Sequence, residues 1–260
     1  MDLQLKNKTA LVTGSTAGIG FATAKLLLKE GAKVFINGRK QQGIDDAIAK
    51  LKAEIPNAEV YGIAADFSNV KDIDNLLGAL PEVDILVNNV GIFKIEDFAD
   101  ITDDDWFHFF EVNVMSGVRL SRNYFPKMLE KNWGRIIFVS SESALNIPSE
   151  MIHYGMTKTA QLAVSRGLAQ LTKDSNVTVN SVLPGPTASE GLTDFIDLDD
   201  DNKSQKEKEF FENARPSSLI RRFLEPDEIA STIVYLASPL ASGTNGTSVR
   251  VDGGLVTTIA

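Results

Sequence analysis

One glycine-rich turn, set between a short β-favouring run and a helical run, limits what this chain can fold into. Lys8-Thr9-Ala10-Leu11-Val12-Thr13 reads as a buried strand. Thr13-Gly14-Ser15-Thr16-Ala17-Gly18-Ile19-Gly20 follows. A helical stretch over 21–30 comes next, stopped by Gly31, and a second strand runs over 32–37. A glycine turn between strand and helix is where a phosphate loop is built. Glycines allow a tight turn and close backbone approach, and the helix N-terminus offers unpaired N–H groups to a pyrophosphate. The spacing is Gly-x-x-x-Gly-x-Gly, not the usual Gly-x-Gly-x-x-Gly. Gly14, Ser15, Thr16, Gly18, Ile19 and Gly20 are the candidate contacts.

The second strand ends Asn37-Gly38-Arg39-Lys40. An acid here would bond an adenosine ribose 2′-hydroxyl and favour NAD. None is present. Arg39 offers a planar fork to a 2′-phosphate, which favours NADP over NAD, unless it is a solvated charge at a helix start.

The alternation continues to the C-terminus. A helix is expected over 41–55 and a strand over 58–64, followed by Asp66-Phe67. Asp66 either faces the adenine or caps the helix that begins near Asn69. A fourth strand over 83–87 ends in Asn88-Asn89-Val90-Gly91, which is either a ligand-fixing loop or a plain turn. Residues 103–131 read as one long helix that opens in an acidic turn and holds Asn113, a poor interior helix residue, at its middle. A fifth strand over 134–140 delivers Ser140-Ser141, and a helix over 152–172 follows. A sixth strand over 177–183 leads to Pro184-Gly185-Pro186-Thr187. A helix over 226–237 and a strand over 247–251 close the chain. Strands alternating with helices imply a parallel sheet covered on both faces, an α/β three-layer, doubly wound arrangement. Residues 1–260 read as one domain, since neither a repeat nor a clean linker divides them. Residues 189–218 shift in composition and form either a lid over substrate or a solvated insertion.

Charge and composition exclude several functions. A net charge of −9 argues against nucleic acid and anionic membranes as partners. The chain has no cysteine, so disulfides, thiolate metal sites and cysteine nucleophiles are excluded. With two histidines, His108 and His153, a histidine metal site is not expected. No signal-like N-terminus and no long apolar run are present, so a cytoplasmic location is expected.

Tyr154 and Lys158 lie four residues apart, one turn apart on one helix face. A phenol has an ordinary pKa of about 10. A neighbouring ammonium favours the phenolate, so the pair reads as a tuned general acid/base. Gly155, Thr159, Ala163 and Gly167 form a small-residue stripe on the same helix, read as core or subunit interface.

Taken in order, these elements resemble the short-chain dehydrogenase/reductase family over nearly the whole chain. Thr13-Gly14-x-x-x-Gly18-Ile19-Gly20 matches its cofactor loop. Asn88-Asn89-Val90-Gly91 matches its Asn-Asn-Ala-Gly element, with valine in place of alanine. Asn113, Ser141 thirteen residues before Tyr154, Tyr154-x-x-x-Lys158, Pro184-Gly185 and Val251-Asp252-Gly253-Gly254 also fit. The resemblance implies a Rossmann sheet of about seven parallel strands, and hydride transfer between a nicotinamide cofactor and a ketone or secondary alcohol without a metal. It implies that Ser141 bonds the substrate carbonyl and Tyr154 exchanges the proton. Lys158 would hold the nicotinamide ribose and depress the Tyr154 pKa, and Asn113 would hold a relay water. Arg39, Asp66, Phe67, Asn89, Gly91, Pro184, Gly185 and either Thr187 or Ser189 would complete the cofactor site. A homotetramer or homodimer is implied. A 3-oxoacyl-thioester reductase is the alternative within the family, and a dinucleotide sensor without turnover is the alternative outside enzymes.

Overall fold

In a computed structural model of the chain, residues 2–189 and 203–259 are described. Seven strands form one parallel sheet. They are β1 (Thr9–Val12), β2 (Lys33–Gly38), β3 (Val60–Ala64), β4 (Ile85–Asn88), β5 (Gly134–Val139), β6 (Val177–Pro184) and β7 (Ser248–Val251). Their order across the sheet is β3-β2-β1-β4-β5-β6-β7, and every neighbouring pair is parallel. The chain winds outward from β1 in one direction and resumes at β4 in the other. A crevice therefore opens beyond the carboxyl ends of β1 and β4, where a doubly wound sheet binds its ligand.

Two apolar layers flank the sheet, and the period-2 alternation of each strand divides its side chains between them. Ala10, Val12, Ile85, Val87, Ile137 and Val139 join one layer; Leu11, Leu86, Ile136 and Phe138 join the other. This explains why the strands read as continuous apolar runs. The first layer is covered by α1 (Gly18–Lys29), α2 (Gln41–Glu54) and a helix at Pro226–Ala237; the second by α3 (Val70–Ala79) and the elements that follow it.

The expected long helix over 103–131 is interrupted. It consists of α4 (Asp103–Phe110), one π-helical turn at Glu111–Met115, and α5 (Ser116–Glu130). Then come α6 (Ile152–Gln170), α7 (Lys203–Asn213) and α8 (Pro226–Ala237). Of the expected lid at 189–218, residues 190–202 lie outside the described residues. Phe211 is buried and packs with Phe210 and Phe223, ring centroids 5.1–5.2 Å apart. On α6, Gly155 is buried, whereas Thr159, Ala163 and Gly167 are exposed.

Candidate active site

The glycine turn forms one wall of a cavity of about 630 Å³ that runs along the carboxyl ends of the strands. Gly14 (φ +59°) and Gly18 (φ +55°) adopt the left-handed region that favours glycine. Ala17 caps α1 without a side-chain acceptor, and the first turn of the helix holds no acid. Backbone N–H groups at a helix N-terminus with no side-chain partner fit a phosphate, as a dinucleotide requires. Gly14, Thr16, Gly18, Ile19 and Arg39 all line this end.

Ser15 and Gly20 do different work. Ser15 is fully buried; its hydroxyl donates to the Val12 carbonyl (2.6 Å) and accepts from the Asn37 N–H (2.9 Å). Asn37 Oδ1 in turn accepts from the Gly14 N–H at 3.1 Å. Asn89 Nδ2 donates to the carbonyls of Thr13 and Gly14, 2.9 Å each, which fixes the turn from the β4 side. A Cβ on Gly20 would sit 2.4 Å from the Gly14 carbonyl oxygen and 2.6 Å from Asn89 Nδ2. Because the obstacle is backbone, Gly20→Ala should destabilise the fold by about 1–3 kcal/mol, measurable by denaturant unfolding. A loss below about 0.5 kcal/mol would show that the turn can shift.

Asp66 and Phe67 also line the cavity. Asp66 does not cap α3; Asn69 does, its side chain accepting from the Lys71 N–H. Asp66 Oδ1 instead accepts from the Ser68 N–H (2.9 Å) and hydroxyl (2.7 Å). Those two bonds hold its carboxyl below the usual range, with Arg39 adding a smaller pull.

At the other end, Ser141, Tyr154 and Lys158 line the cavity together with Asn89, Gly91, Pro184, Gly185, Thr187 and Ser189. β5 ends at Val139, so Ser140 and Ser141 leave it in succession. Ser140 turns away and donates to the Lys158 carbonyl at 2.8 Å. Ser141 accepts from the Ser143 N–H at 3.1 Å and hydrogen-bonds Tyr154. Thr187 is engaged with the Gly185 carbonyl at 2.9 Å. Lys158 is buried and donates to the Val139 carbonyl at 3.0 Å, with its Nζ 5.6 Å from the Tyr154 ring centre. A Cβ on Gly91 would stand 3.1 Å from that Nζ, so glycine leaves room for the ammonium.

The expected lowering of the Tyr154 pKa by Lys158 is not found: burial sets the shift, and Lys158 is not among its causes. Burial pushes the phenol up to about 12, and the Ser141 hydrogen bond only partly opposes it. Burial likewise lowers the Lys158 ammonium to about 8. In the protein alone the phenol is therefore firmly protonated at neutral pH, the form a proton donor needs.

Asn113 lies behind the cavity wall, in the π turn. Its Oδ1 accepts from the Ile92 N–H (2.7 Å), and its Nδ2 donates to the Ile92 carbonyl (3.0 Å) and Thr157 Oγ1 (2.9 Å). The side chain thus fastens the loop after β4 to α6. The π turn displaces the backbone ladder, and the Asn113 carbonyl accepts from Gln161 Nε2 at 2.5 Å. His153 packs on Phe109 at 4.1 Å between ring centres, away from the cavity.

Glu142, Glu150 and Arg215 were not singled out from the sequence, yet all three line the cavity. Arg215 Nε donates to Glu142 (3.4 Å), and Nη1 donates to Glu150 (3.3 Å). They come from three separate segments, so only the position of Glu142 directly after Ser141 could have flagged the group. Among the described residues no cluster of metal-ligating side chains is present, and no helix is long and apolar enough to cross a membrane.

Comparisons with known proteins agree with this geometry. The family model for short chain dehydrogenase matches residues 8–197. The oxidoreductase YvaG of Bacillus subtilis (strain 168) is 48% identical, with all of both chains covered. The 3-oxoacyl-[acyl-carrier-protein] reductase FabG of Aquifex aeolicus (strain VF5) is 30% identical over 98% of this chain and all of its own. The crystal structure of L-sorbose reductase from Gluconobacter frateurii, complexed with NADPH and L-sorbose, superposes with a TM-score of 0.90 at 30% identity over the full length of both chains. Sequence motifs, fold and relatives converge: this chain belongs to the short-chain dehydrogenase/reductase family and is an NAD(P)-dependent oxidoreductase.

Proposed function

We propose that the protein is an NADP-preferring reductase of a ketone, working through Tyr154 without a metal. One observation supports this reading: Arg39, the glycine turn, Lys158, Tyr154 and Ser141 all line a single cavity. A reduced nicotinamide cofactor, when bound, supplies a hydride to the carbonyl carbon. Ser141 donates a hydrogen bond to the carbonyl oxygen, and Tyr154 delivers the proton to it as the alcohol forms. Lys158 holds the nicotinamide ribose and keeps positive charge beside the phenol as it gives up its proton. Asn113 positions the loop after β4 and α6 relative to each other. Gly14, Thr16, Gly18 and Ile19 cradle the pyrophosphate, Asp66 and Phe67 border the adenine, and Arg39 receives the 2′-phosphate.

The chain works as one cofactor-binding domain, and from the described part of 189–218 Phe210, Ala214 and Arg215 border the substrate end of the cavity. The exposed Thr159, Ala163 and Gly167 on α6 suit close approach of a second copy in a homodimer or homotetramer. The NADPH-bound sorbose reductase supports the choice of cofactor and a small carbonyl substrate. A 3-oxoacyl thioester on a carrier protein is less favoured. A carrier would need a basic docking patch, but Arg119 on α5 pairs with Glu111, and Lys131 just after α5 pairs with Asp84 and Glu82.

Titration with NADPH and NADH, followed by a carbonyl panel, tests the proposal. Arg39→Ala should raise the KM for NADPH about tenfold while changing that for NADH less than about twofold. A wild-type preference for NADH would overturn the assignment of Arg39.

A further inference from the structure

Arg215 stands two residues beyond α7 and lines the cavity, with its side chain 11% exposed. Its guanidinium has several anchors. Nε donates to Glu142, and Nη1 donates to Glu150 and to the Ala214 carbonyl (2.8 Å). Its Cζ lies 5.9 Å from the centre of the Phe210 ring, within reach of a cation–π contact.

Each of the two acids belongs to a segment that holds a reacting group. Glu142 directly follows Ser141 and opens the short turn Glu142–Ala144, which Ser141 caps by accepting from the Ser143 N–H. Glu150 lies in the turn Ser149–Met151 that leads into α6, four residues before Tyr154. The Glu150 carbonyl accepts from the Glu96 N–H, on the stretch after β4, at 3.0 Å. One arginine therefore joins the end of α7 to the segments of both Ser141 and Tyr154.

Burial makes this pairing matter. A solvated ion pair contributes little. Glu142 is 3% exposed, and burial lifts its carboxyl above the usual range while Arg215 and the Ser143 hydroxyl pull it back. Removing the cation would leave a buried carboxylate next to Ser141, a change far costlier than losing a surface pair. The pair also acts on the phenol. After burial, which raises Tyr154 most, and the Ser141 bond, which lowers it, Glu142 raises it and Arg215 lowers it. Lys158 and Glu150 line the same cavity, and Asp252, just after β7, acts on Glu142.

We propose that Arg215 is a positioning residue for the reduction: it draws the end of α7 onto Glu142 and Glu150 and so sets where Ser141 and Tyr154 stand relative to a bound ketone. This rests on the reductase reading above.

The variants Arg215→Met, Glu142→Gln and Glu150→Gln test it. The probe is whichever of cyclohexanone, acetophenone and 1-hydroxy-2-butanone the wild type reduces fastest, together with the alcohol it gives. Arg215→Met should lower kcat/KM for the ketone about thirtyfold or more. Its Kd for NADPH should change less than about threefold, which also shows that the cofactor site is folded. Alcohol oxidation with NADP needs the ionised phenol, so its rate rises with pH. Arg215→Met should move that rise to higher pH and Glu142→Gln to lower pH, each by about half a pH unit. A general loosening of the site would not move the two in opposite directions. If Arg215→Met loses NADPH binding, Glu150→Gln decides, since it keeps the guanidinium and removes one anchor. It should lower kcat/KM about threefold or more at unchanged NADPH affinity. An unchanged kcat/KM in the deciding variant, or pH profiles that stay put or move the same way, overturns the Arg215 assignment and leaves the reductase reading standing. If the wild type reduces no carbonyl compound at all, the reductase reading falls and takes this inference with it.

Discussion

Tyr154→Phe is expected to lower NADPH-dependent ketone reduction about a thousandfold, because in the proposed mechanism the phenol is the proton donor. Removing one hydroxyl leaves the ring in place, with its edge contact to Phe93 at 6.4 Å between centroids. NADPH affinity should change less than about threefold, a size consistent with losing no net hydrogen bond to the cofactor. The pH dependence follows from burial. A phenol held at about 12 stays protonated through neutral and mildly alkaline pH, so reduction by the wild type should lose no Tyr154 acid below about pH 9. A variant that retained more than about a tenth of wild-type turnover would assign the proton to another group.

Lys158→Met separates function from stability. Burial lowers the lysine to about 8, against an ordinary value near 10.4. Between those two pH values the unfolded chain binds a proton that the folded chain does not, so wild-type stability should rise with pH across that window. Below it the folded protein bears the whole cost of a buried ammonium. Methionine fills similar volume and cannot ionise. At pH 7 the variant should be more stable by on the order of 1–3 kcal/mol, with the gain shrinking from about pH 8 toward about 10.4. Its turnover should fall about a hundredfold or more, since ribose placement and the charge beside Tyr154 are both lost. Denaturant unfolding at pH 7 and pH 10 checks the first half, and steady-state kinetics the second. A variant both less stable and fully active would contradict both.

The sheet was legible because its strands, covered on both faces, are β-favouring and largely apolar and are separated by turn residues. The boundaries moved by a residue or two, as at Val139, where β5 stops one residue before the expected end. The π turn was not legible, since an extra residue in one helical turn leaves no mark on the apolar period. Asn113 hinted at it only by being a poor helix residue. Within the glycine turn, sequence grouped Ser15 and Gly20 with the ligand contacts. The fold uses Ser15 to bridge Val12 and Asn37, and it needs Gly20 where Gly14 passes close. The Tyr154 shift had the opposite sign to that expected from the i,i+4 lysine, because spacing reveals a neighbour's charge but not how deeply both groups are buried. Glu142 and Arg215 are 73 residues apart and meet only through the fold.

The most direct measurement is to follow deuterium from NADPH labelled at the transferable position of the nicotinamide into the alcohol formed from a ketone. The predicted result is one deuterium on the carbinol carbon with the wild type and about a thousandfold slower labelling with Tyr154→Phe. Tight NADPH binding with no label in any alcohol across a broad carbonyl panel would contradict it and leave a dinucleotide-binding protein without turnover.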